Sequence, residues 1–335
     1  MYASWQSLPE LPAIDLALVH ALQVAPRAPW SAIGRTIGVD PATAARRWDR
    51  LVADRLAWFV VRPSAEALAP DRDAVVLKFR CRPGSEVRVA ERIAAEEDVY
   101  SVDLLAGEDD VAVVMIGRGL GSMRQRIDSL VGGDPDIFLT REFFIAAVHR
   151  EDAQWRLGAL TPEQERGLER RGDGPVTPPD PDVLAQLTEA LIEEPRMSVA
   201  DLGRRLDRPE PTARRLLDRA LRSRAIRLGC DVVASAGGAG RGVILEVRAD
   251  DPRAVGAVIS DFPCVVRSAA VIGPGNLALV VRFGALGDIF DFEAAVAAQV
   301  PGWHVLDRGT IVRSVKRQGR VLDDDGRVLL SGAAG

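Results

Sequence analysis

The hydrophobic positions of this chain follow two different periods, and the first of them is helical. Residues 13–24 repeat with the 3.6-residue period of an α-helix and place on one face Ile14, Leu18, Ala21 and Leu22. Two prolines then separate this helix from a short one predicted over 30–37. A longer helix is predicted over 42–56 and a short alternating strand over 58–62. Two helices joined by a tight turn within a three-helix core are typical of the helix-turn-helix plan.

The second period is two residues, which is typical of strands. Strands are predicted over 74–80, 100–106, 111–116 and 138–148, and amphipathic helices over 86–97 and 120–130. This β-α-β-β-α-β order is that of the ferredoxin-like fold, an antiparallel sheet with its helices on one face. The other face needs a partner, and we expect it to be the sheet of a second copy. We assign to this face Val76, Phe79, Val113 and Phe144.

Such a second copy is present in the same chain. Ten residues recur 169 positions later without a gap: Pro26, Arg27, Gly34, Arg35, Thr43, Ala44, Arg46, Asp49, Arg50 and Arg55. Helices are predicted again over 182–191, 199–206 and 211–224, with a strand over 226–233, and the βαββαβ order returns between 243 and 314. A period of this length indicates a duplicated pair of domains rather than a solenoid.

The predicted fold class is therefore α+β, with two winged-helix/helix-turn-helix domains alternating with two ferredoxin-like βαββαβ domains. The predicted boundaries are 1–64 and 182–235 for the helix-turn-helix domains, 70–150 and 241–318 for the βαββαβ domains, 151–181 for a linker and 319–335 for a tail. A glycine-rich loop is interpreted as the flexible connection between the second wing and its sheet domain, and it contains Gly237, Gly238, Gly240 and Gly242.

Composition narrows the class of protein. With 335 residues, 47% of them hydrophobic and 27% charged, the chain resembles an ordinary globular protein. No leader-like segment or membrane-length apolar run is visible, so we expect a cytoplasmic protein without a membrane partner. The three cysteines are too scattered for a disulfide framework or a zinc site. The three histidines are equally dispersed, and packing or surface roles are expected for His20, His149 and His304. Because no metal, phosphate-loop or nucleophile motif is present, neither a cofactor nor an enzymatic activity is predicted.

Basic charge is concentrated rather than general. The net charge is −5, yet residues 203–227 contain nine arginines against three acidic residues. The predicted third helix carries the run TAARRWDRL over 43–51, and residues 212–221 repeat its threonine and two of its arginines.

A helix-turn-helix followed by a βαββαβ domain resembles the Lrp/AsnC (feast/famine) family of bacterial transcriptional regulators, whose second, ligand-sensing domain is called RAM. The run over 43–51 is similar to the T-x-S-R-R-I-x-R-L pattern of that family's recognition helix. The resemblance covers about 12–150 and 182–318. It implies a sequence-specific DNA-binding regulator whose two units associate through their RAM sheets as an internal pseudo-dimer.

Double-stranded DNA is the partner that this resemblance implies. Arginine suits the task because its planar fork grips a phosphate or the edge of guanine with two hydrogen bonds. The candidate DNA-binding residues are Thr43, Arg46, Arg47, Arg50, Thr212, Arg214, Arg215, Arg219 and Arg222. The other interpretation is a solvated helix face with salt bridges to Asp49 or Asp218.

The resemblance also implies a small-molecule effector, such as an amino acid or a related metabolite. The family's sensing turn, T-G-x-Y-D, is matched in part by residues 106–110 and 272–276, and both copies lack the tyrosine. The candidate effector-binding residues are Gly107, Asp109, Asp110, Gly273, Gly275 and Asn276. The alternative is that both segments are plain hairpin turns.

Two other functions compete with regulation. Siroheme decarboxylases also resemble this fold and also occur as fused pairs, but they need histidine and arginine around a large anionic tetrapyrrole. Alternatively, the helix-turn-helix units mediate protein contacts in a sensor that binds no DNA. The dispersed histidines and the arginine-rich third helices favour the regulator.

Overall fold

The computed structural model describes residues 11–63, 72–169, 176–233, 240–300 and 302–329. In chain order the first half forms α1 (Ala13–Val24), α2 (Trp30–Ile37), α3 (Pro41–Ala53), β1 (Ala57–Pro63), β2 (Arg72–Cys81), α4 (Glu86–Ala94), β3 (Val99–Ala106), β4 (Val111–Arg118), α5 (Leu120–Val131) and β5 (Ile137–Arg150). A short 3-10 turn (Asp152–Gln154) and α6 (Pro162–Leu168) follow.

The second half forms α7 (Pro181–Glu193), α8 (Val199–Arg205), α9 (Glu210–Arg222), β6 (Ile226–Val232), β7 (Arg241–Ala249), α10 (Pro252–Ser260), β8 (Val265–Ile272), β9 (Leu277–Phe283), α11 (Asp288–Gln299), β10 (Trp303–Arg317) and β11 (Arg320–Val321). Every helix and strand predicted from the hydrophobic pattern is present, and the predicted α+β class is confirmed. Of the described helices, none combines the length and the apolar character that crossing a membrane requires.

The chain divides into two compact units, and each half of the sequence contributes to both. We call residues 11–70 and 156–232 the helical unit, and residues 71–155 and 233–335 the sheet unit. Within the helical unit, β1 pairs antiparallel with β6, so the wings of the two helix-turn-helix copies form one two-stranded sheet. Helix α1 packs against β6, and α7 packs against β1. Each copy therefore contributes its first helix to the wing of the other copy.

Helix α6 lies inside the segment predicted as a linker. Its N-terminus is a capping box, in which Thr161 and Gln164 exchange side-chain and backbone hydrogen bonds, and a proline occupies the first turn. Gln164 also donates to the backbone carbonyl of Thr36 in α2 at 2.8 Å. The linker thus packs on the first helix-turn-helix copy. Residues 170–175, together with Gly237 and Gly238 of the predicted glycine loop, lie outside the described residues.

The sheet unit is a closed ring of eight antiparallel strands in the order β10-β3-β4-β2-β5-β8-β9-β7, with β7 returning to β10 and β11 added to β10. The long strand β5 pairs first with β2 and then with β8 of the other half. In the same way β10 pairs first with β7 and then with β3. Each half therefore passes its last strand to the sheet of the other, and the ring leaves no free edge among its eight strands.

The two faces of the ring have different cores. Helices α4 and α5 cover the outer face of the first half, where Phe79, Val113 and Phe144 pack into one hydrophobic cluster. The inner face is lined by Val76, Phe143 and their neighbours. The predicted apolar face is therefore wrong for three of its four residues, and only Val76 faces the other half. Successive side chains of a strand point to opposite faces, so positions 76 and 79 belong to different faces.

Candidate nucleic-acid interface and sensing sites

The turn between α2 and α3 is as tight as a helix-turn-helix requires. Gly38 ends α2 with a φ of 77°, and Asp40 caps α3 by accepting the Thr43 N–H at 2.8 Å. A Cβ on Gly34 would lie 2.5 Å from a carbonyl oxygen of the turn. Its repeat partner Gly203 is in the same situation, with 2.8 Å to a carbonyl oxygen. This close approach explains why glycine recurs at both positions.

The arginines of α3 divide into two groups. Arg47 and Arg50 both bind the carboxylate of Asp15 in α1, each at 2.9 Å, and the Asp15 side chain is 0% exposed. These two arginines therefore hold α3 against α1, although Arg50 remains more than half exposed. Arg46 lies on the exposed side and donates to the hydroxyl of Thr43 at 3.3 Å. Neither interpretation of the sequence identified Asp15 as the partner, because it lies 32 residues away from Arg47.

The arginines of α9 lie largely at the surface. Arg214 pairs with Glu210 at 2.8 Å, and Arg222 pairs with Asp218 at 3.5 Å. Arg219 donates to two backbone carbonyls of the segment before α7, at 3.2 and 2.9 Å.

Arg215 is exposed, and none of the described residues bonds with it. Thr212 lies half-buried near the start of the helix. Just before α9, three further arginines are exposed: Arg204, Arg205 and Arg208.

A reciprocal clasp joins the two helix-turn-helix copies. Arg27 donates to the carbonyls of Pro195 and Met197 at 2.6 and 2.5 Å. Arg196 donates to the carbonyls of Pro26 and Ala28 at 2.5 and 2.6 Å. Burial, with a smaller contribution from Arg27, lowers the pKa of Arg196 to about 10. The sequence signal for this contact is the recurrence of Pro-Arg in the repeat, which by itself specifies no role.

The candidate sensing turns are held by their own side chains. Asp110 accepts the backbone N–H of Cys81 at 2.8 Å. Asn276 accepts the N–H of Ala249 at 2.8 Å and donates to its carbonyl at 2.7 Å. Both side chains therefore fasten the turn to the neighbouring strand, as Asx residues of hairpin connections do.

The glycines of these turns allow close packing inside the ring. A Cβ on Gly107 would lie 2.9 Å from the carbonyl oxygen of Arg308, and one on Gly273 would lie 2.5 Å from the Phe143 ring. Each of these contacts joins one half to the other. Gly275 donates its N–H to Glu246 at 2.9 Å. The turn residues are thus brought to the meeting surface of the halves, where side chains larger than hydrogen would clash.

Asp109 belongs to a buried charge cluster. Its carboxylate lies 3.0 Å from the ammonium of Lys78 and also pairs with Arg141. Two carboxylates of the second half, Glu246 and Asp307, complete the cluster. Burial raises the pKa of Glu246. Burial also acts on Asp307, but the hydrogen bond and charge of Lys78, with the charge of Arg141, hold its pKa below the usual value.

A second polar region forms a small pocket between strands of both halves. The residues that carry its charge and polarity are Tyr100, Asp103, Asp152, Arg267, Arg282 and Arg317. Asp103 is buried and accepts the Ser314 hydroxyl at 2.5 Å. Burial raises the pKa of Asp103 against the opposing effects of Ser314 and the three arginines. None of these residues was predicted from the sequence, although arginines within apolar strands, such as Arg267 and Arg282, are a usable signal.

The histidines lie apart from this pocket. His20 is buried in α1, His149 contacts Gly256 of α10, and His304 is exposed at the start of β10. Burial, followed by the charge of Arg253, lowers the pKa of His149. Within the described ranges, no three residues among His, Cys, Asp and Glu are grouped so as to hold a metal ion.

Comparisons with known proteins give two kinds of match. The family model of the AsnC-type helix-turn-helix domain matches residues 11–52. Among solved structures, the chain is similar to the siroheme decarboxylase NirDL in co-complex with an iron-uroporphyrin III analogue, with 12% identity, a TM-score of 0.53, and coverage of 91% of this chain and 93% of that chain. A further structure of NirDL gives 12% identity, a TM-score of 0.51, and coverage of 94% and 96%.

A third similar structure is E. coli AsnC, with 13% identity, a TM-score of 0.36, and coverage of 41% of this chain and 93% of that chain. A search of the curated proteins found no match.

Proposed function

Because residues 11–52 are an AsnC-type helix-turn-helix domain and the chain has the fold of a fused two-unit Lrp/AsnC-like protein, we propose that it is a DNA-binding transcriptional regulator. The observation that carries this proposal is the arginine surface of the helical unit. Arg46 of α3 and Arg215 of α9 are exposed on the two helices that would enter major grooves. Arg47 and Arg50 contribute chiefly by holding α3 in place through Asp15.

The two copies are expected to contribute unequally to affinity. The second copy exposes five arginines around α8 and α9: Arg204, Arg205, Arg208, Arg214 and Arg215. Each phosphate contact that it makes steepens the dependence of affinity on salt. The first copy exposes three, Arg35, Arg46 and Arg50, and Arg50 is also bound to Asp15. Because α3 and α9 differ in sequence, the two half-sites that they contact should differ as well, and the operator should be an imperfect palindrome.

The experiment that tests this proposal is selection from a pool of random double-stranded DNA with the purified full chain. We expect a sequence to be enriched and to be bound more weakly by the variant Arg46→Ala with Arg215→Ala. The matched control, Arg118→Ala with Arg241→Ala, removes the same charge from exposed positions of the sheet unit and should bind as wild type. Absence of any enriched sequence, or equal binding by both double variants, would refute DNA recognition by these helices.

We propose further that a small carboxylate-bearing effector binds the pocket lined by Arg267, Arg282 and Arg317 rather than the turn side chains. What supports this site is three guanidinium groups beside the buried Asp103, whereas Asp110 and Asn276 already bond to strand backbone. An effector alters DNA binding only if it favours one arrangement of the chain. Thermal shift assays with amino acids and dicarboxylates, on wild type and on Arg267→Ala, test the site. A shift that persists in Arg267→Ala would place the effector elsewhere.

One observation favours a second candidate function, a siroheme decarboxylase. The likeness to NirDL extends over 91% of this chain, and an arginine-lined pocket suits an anionic ligand. Against it, no histidine is among the residues lining that pocket. Absorbance spectra of the purified protein mixed with siroheme decide between the two. A shifted spectrum followed by release of carbon dioxide supports the enzyme, and an unchanged spectrum supports the regulator.

A further inference from the structure

The two halves place opposite charges at equivalent positions of their sheets. In the first half, Lys78 of β2 is the cross-strand neighbour of Arg141 of β5. In the second half, Glu246 of β7 is the register partner of Asp307 of β10. The equivalence follows from the turns. Asp110 donates its N–H to the carbonyl of the residue after Lys78, and Asn276 donates its N–H to the carbonyl of the residue after Glu246. One half therefore carries two cations where the other carries two carboxylates.

These four residues meet across the contact between the halves. Lys78 bonds with Asp307, and Arg141 lies 3.4 Å from Glu246 and 3.5 Å from Asp307. The Lys78 and Glu246 side chains are only 3% and 6% exposed, so water cannot replace a missing partner. We call these four side chains the charge quartet. Two of these contacts, Lys78 with Asp307 and Arg141 with Glu246, are related by the same pseudo-two-fold symmetry that relates the halves.

Pairing of like halves would destroy this balance. Two second-half sheets would bring four carboxylates together at these positions and no cation from the quartet. Two first-half sheets would bring four cations against two copies of the buried Asp109. A buried charge without its partner is strongly destabilising, and like charges at close range specify against the wrong partner.

We propose that the charge quartet is a pairing code, by which the first-half sheet accepts a second-half sheet and rejects a copy of itself. Two other kinds of contact between the halves lack this selectivity. The Arg27 and Arg196 clasp is reciprocal, so two identical copies could form it equally well. The strand pairings β5 with β8 and β10 with β3 are made by backbone groups. This inference does not depend on whether the protein binds DNA.

The first test uses the intact chain. Glu246→Lys places a third cation beside Lys78 and Arg141, whereas Glu246→Met only removes the carboxylate. We expect Glu246→Lys to lower the urea midpoint of unfolding well below that of Glu246→Met. In a background carrying Lys78→Met and Arg141→Met, this difference should vanish or reverse, because the new lysine then faces the carboxylates of Asp109 and Asp307 without another cation. A difference that persists in that background would show that the size of lysine, rather than its charge, causes the loss, and would overturn the proposal.

The second test measures which halves pair with each other. A protease site inserted between residues 170 and 175 of the full chain lets the folded protein be cut into its two halves. The cut protein is unfolded in urea, refolded and weighed by native mass spectrometry. We expect only pairs of a first half with a second half. The control carries methionine at all four quartet positions and Asp109→Asn, since Asp109 would otherwise lose both of its cations. It should also give like pairs, because buried ion pairs can be replaced by uncharged side chains.

Like pairs from the wild-type protein would overturn the proposal, and so would exclusively mixed pairs from the methionine control. Where the cut halves do not pair again, the first test decides, since it uses the uncut chain and requires no reassociation of halves.

Discussion

The buried histidine of α1 makes the stability of the helical unit depend on pH. The His20 side chain is 0% exposed, and its Nδ1 accepts the Leu160 N–H at 2.9 Å, which requires the neutral ring with its proton on Nε2. Burial, followed by the charge of Arg156, lowers the pKa of His20 from 6.5 to about 4, although Glu165 lies 3.2 Å from Nε2. The unfolded chain takes up this proton near pH 6.5, well before the folded chain does.

Stability is therefore complete above pH 6.5 and falls as the pH decreases towards 4. The difference between the two pKa values corresponds to about 3 kcal/mol at pH 4. Urea unfolding at pH 7 and pH 4 should show this loss in wild type and not in His20→Gln, which retains an acceptor for Leu160 but does not titrate. Because other groups titrate in both proteins, the quantity of interest is the difference between their losses. Equal losses, or an NMR titration midpoint of His20 near 6.5, would refute the reasoning.

Two further predictions concern the helix-turn-helix geometry. Gly34→Ala sets a methyl group against a turn carbonyl 2.5 Å away and should destabilise the chain by about 1–3 kcal/mol, whereas Gly121→Ala in α5 meets nothing within 4 Å and should be neutral or stabilising by up to about 1 kcal/mol. Thermal denaturation distinguishes the two, and equal shifts would contradict the close approach. Asp15→Asn weakens both ion pairs to α3 and should cost about 2 kcal/mol in urea unfolding, against about 0.5 kcal/mol or less for the exposed Asp49→Asn. An equal cost for both would show that Asp15 does not hold α3.

The pattern of hydrophobic residues and the repeat are sufficient to predict every helix and strand up to the linker and, after it, every one except the short β11 in the predicted tail. The hydrophobic period and the repeat identify the elements within each half, but they carry no information about which strands pair between the halves. The passage of β5 from β2 to β8 depends on contacts between residues more than 100 positions apart. Helix α6 was missed because its short sequence carries only one buried apolar residue, Leu168.

The candidate sites were predicted less completely, again because they depend on contacts between residues far apart in the sequence. Arg47 and Arg50 have the spacing of a recognition helix, but the sequence pattern places their partner Asp15 at an exposed position of α1. Arg27 bonds to backbone carbonyls, which no side-chain pattern reveals. Lys78 and Glu246 sit at equivalent strand positions, and only the closed ring shows that their opposite charges meet opposite partners across the halves.

A hydroxyl-radical footprint of the full chain on its selected DNA tests the central claim most directly. The clasp of Arg27 and Arg196 joins the two helix-turn-helix copies, so the proposed regulator should give two protected segments of imperfectly related sequence. Their centres should lie one helical turn of about 34 Å, or a multiple of it, apart. A footprint with a single protected segment, or none even at low salt, would contradict a regulator that reads its operator with both halves.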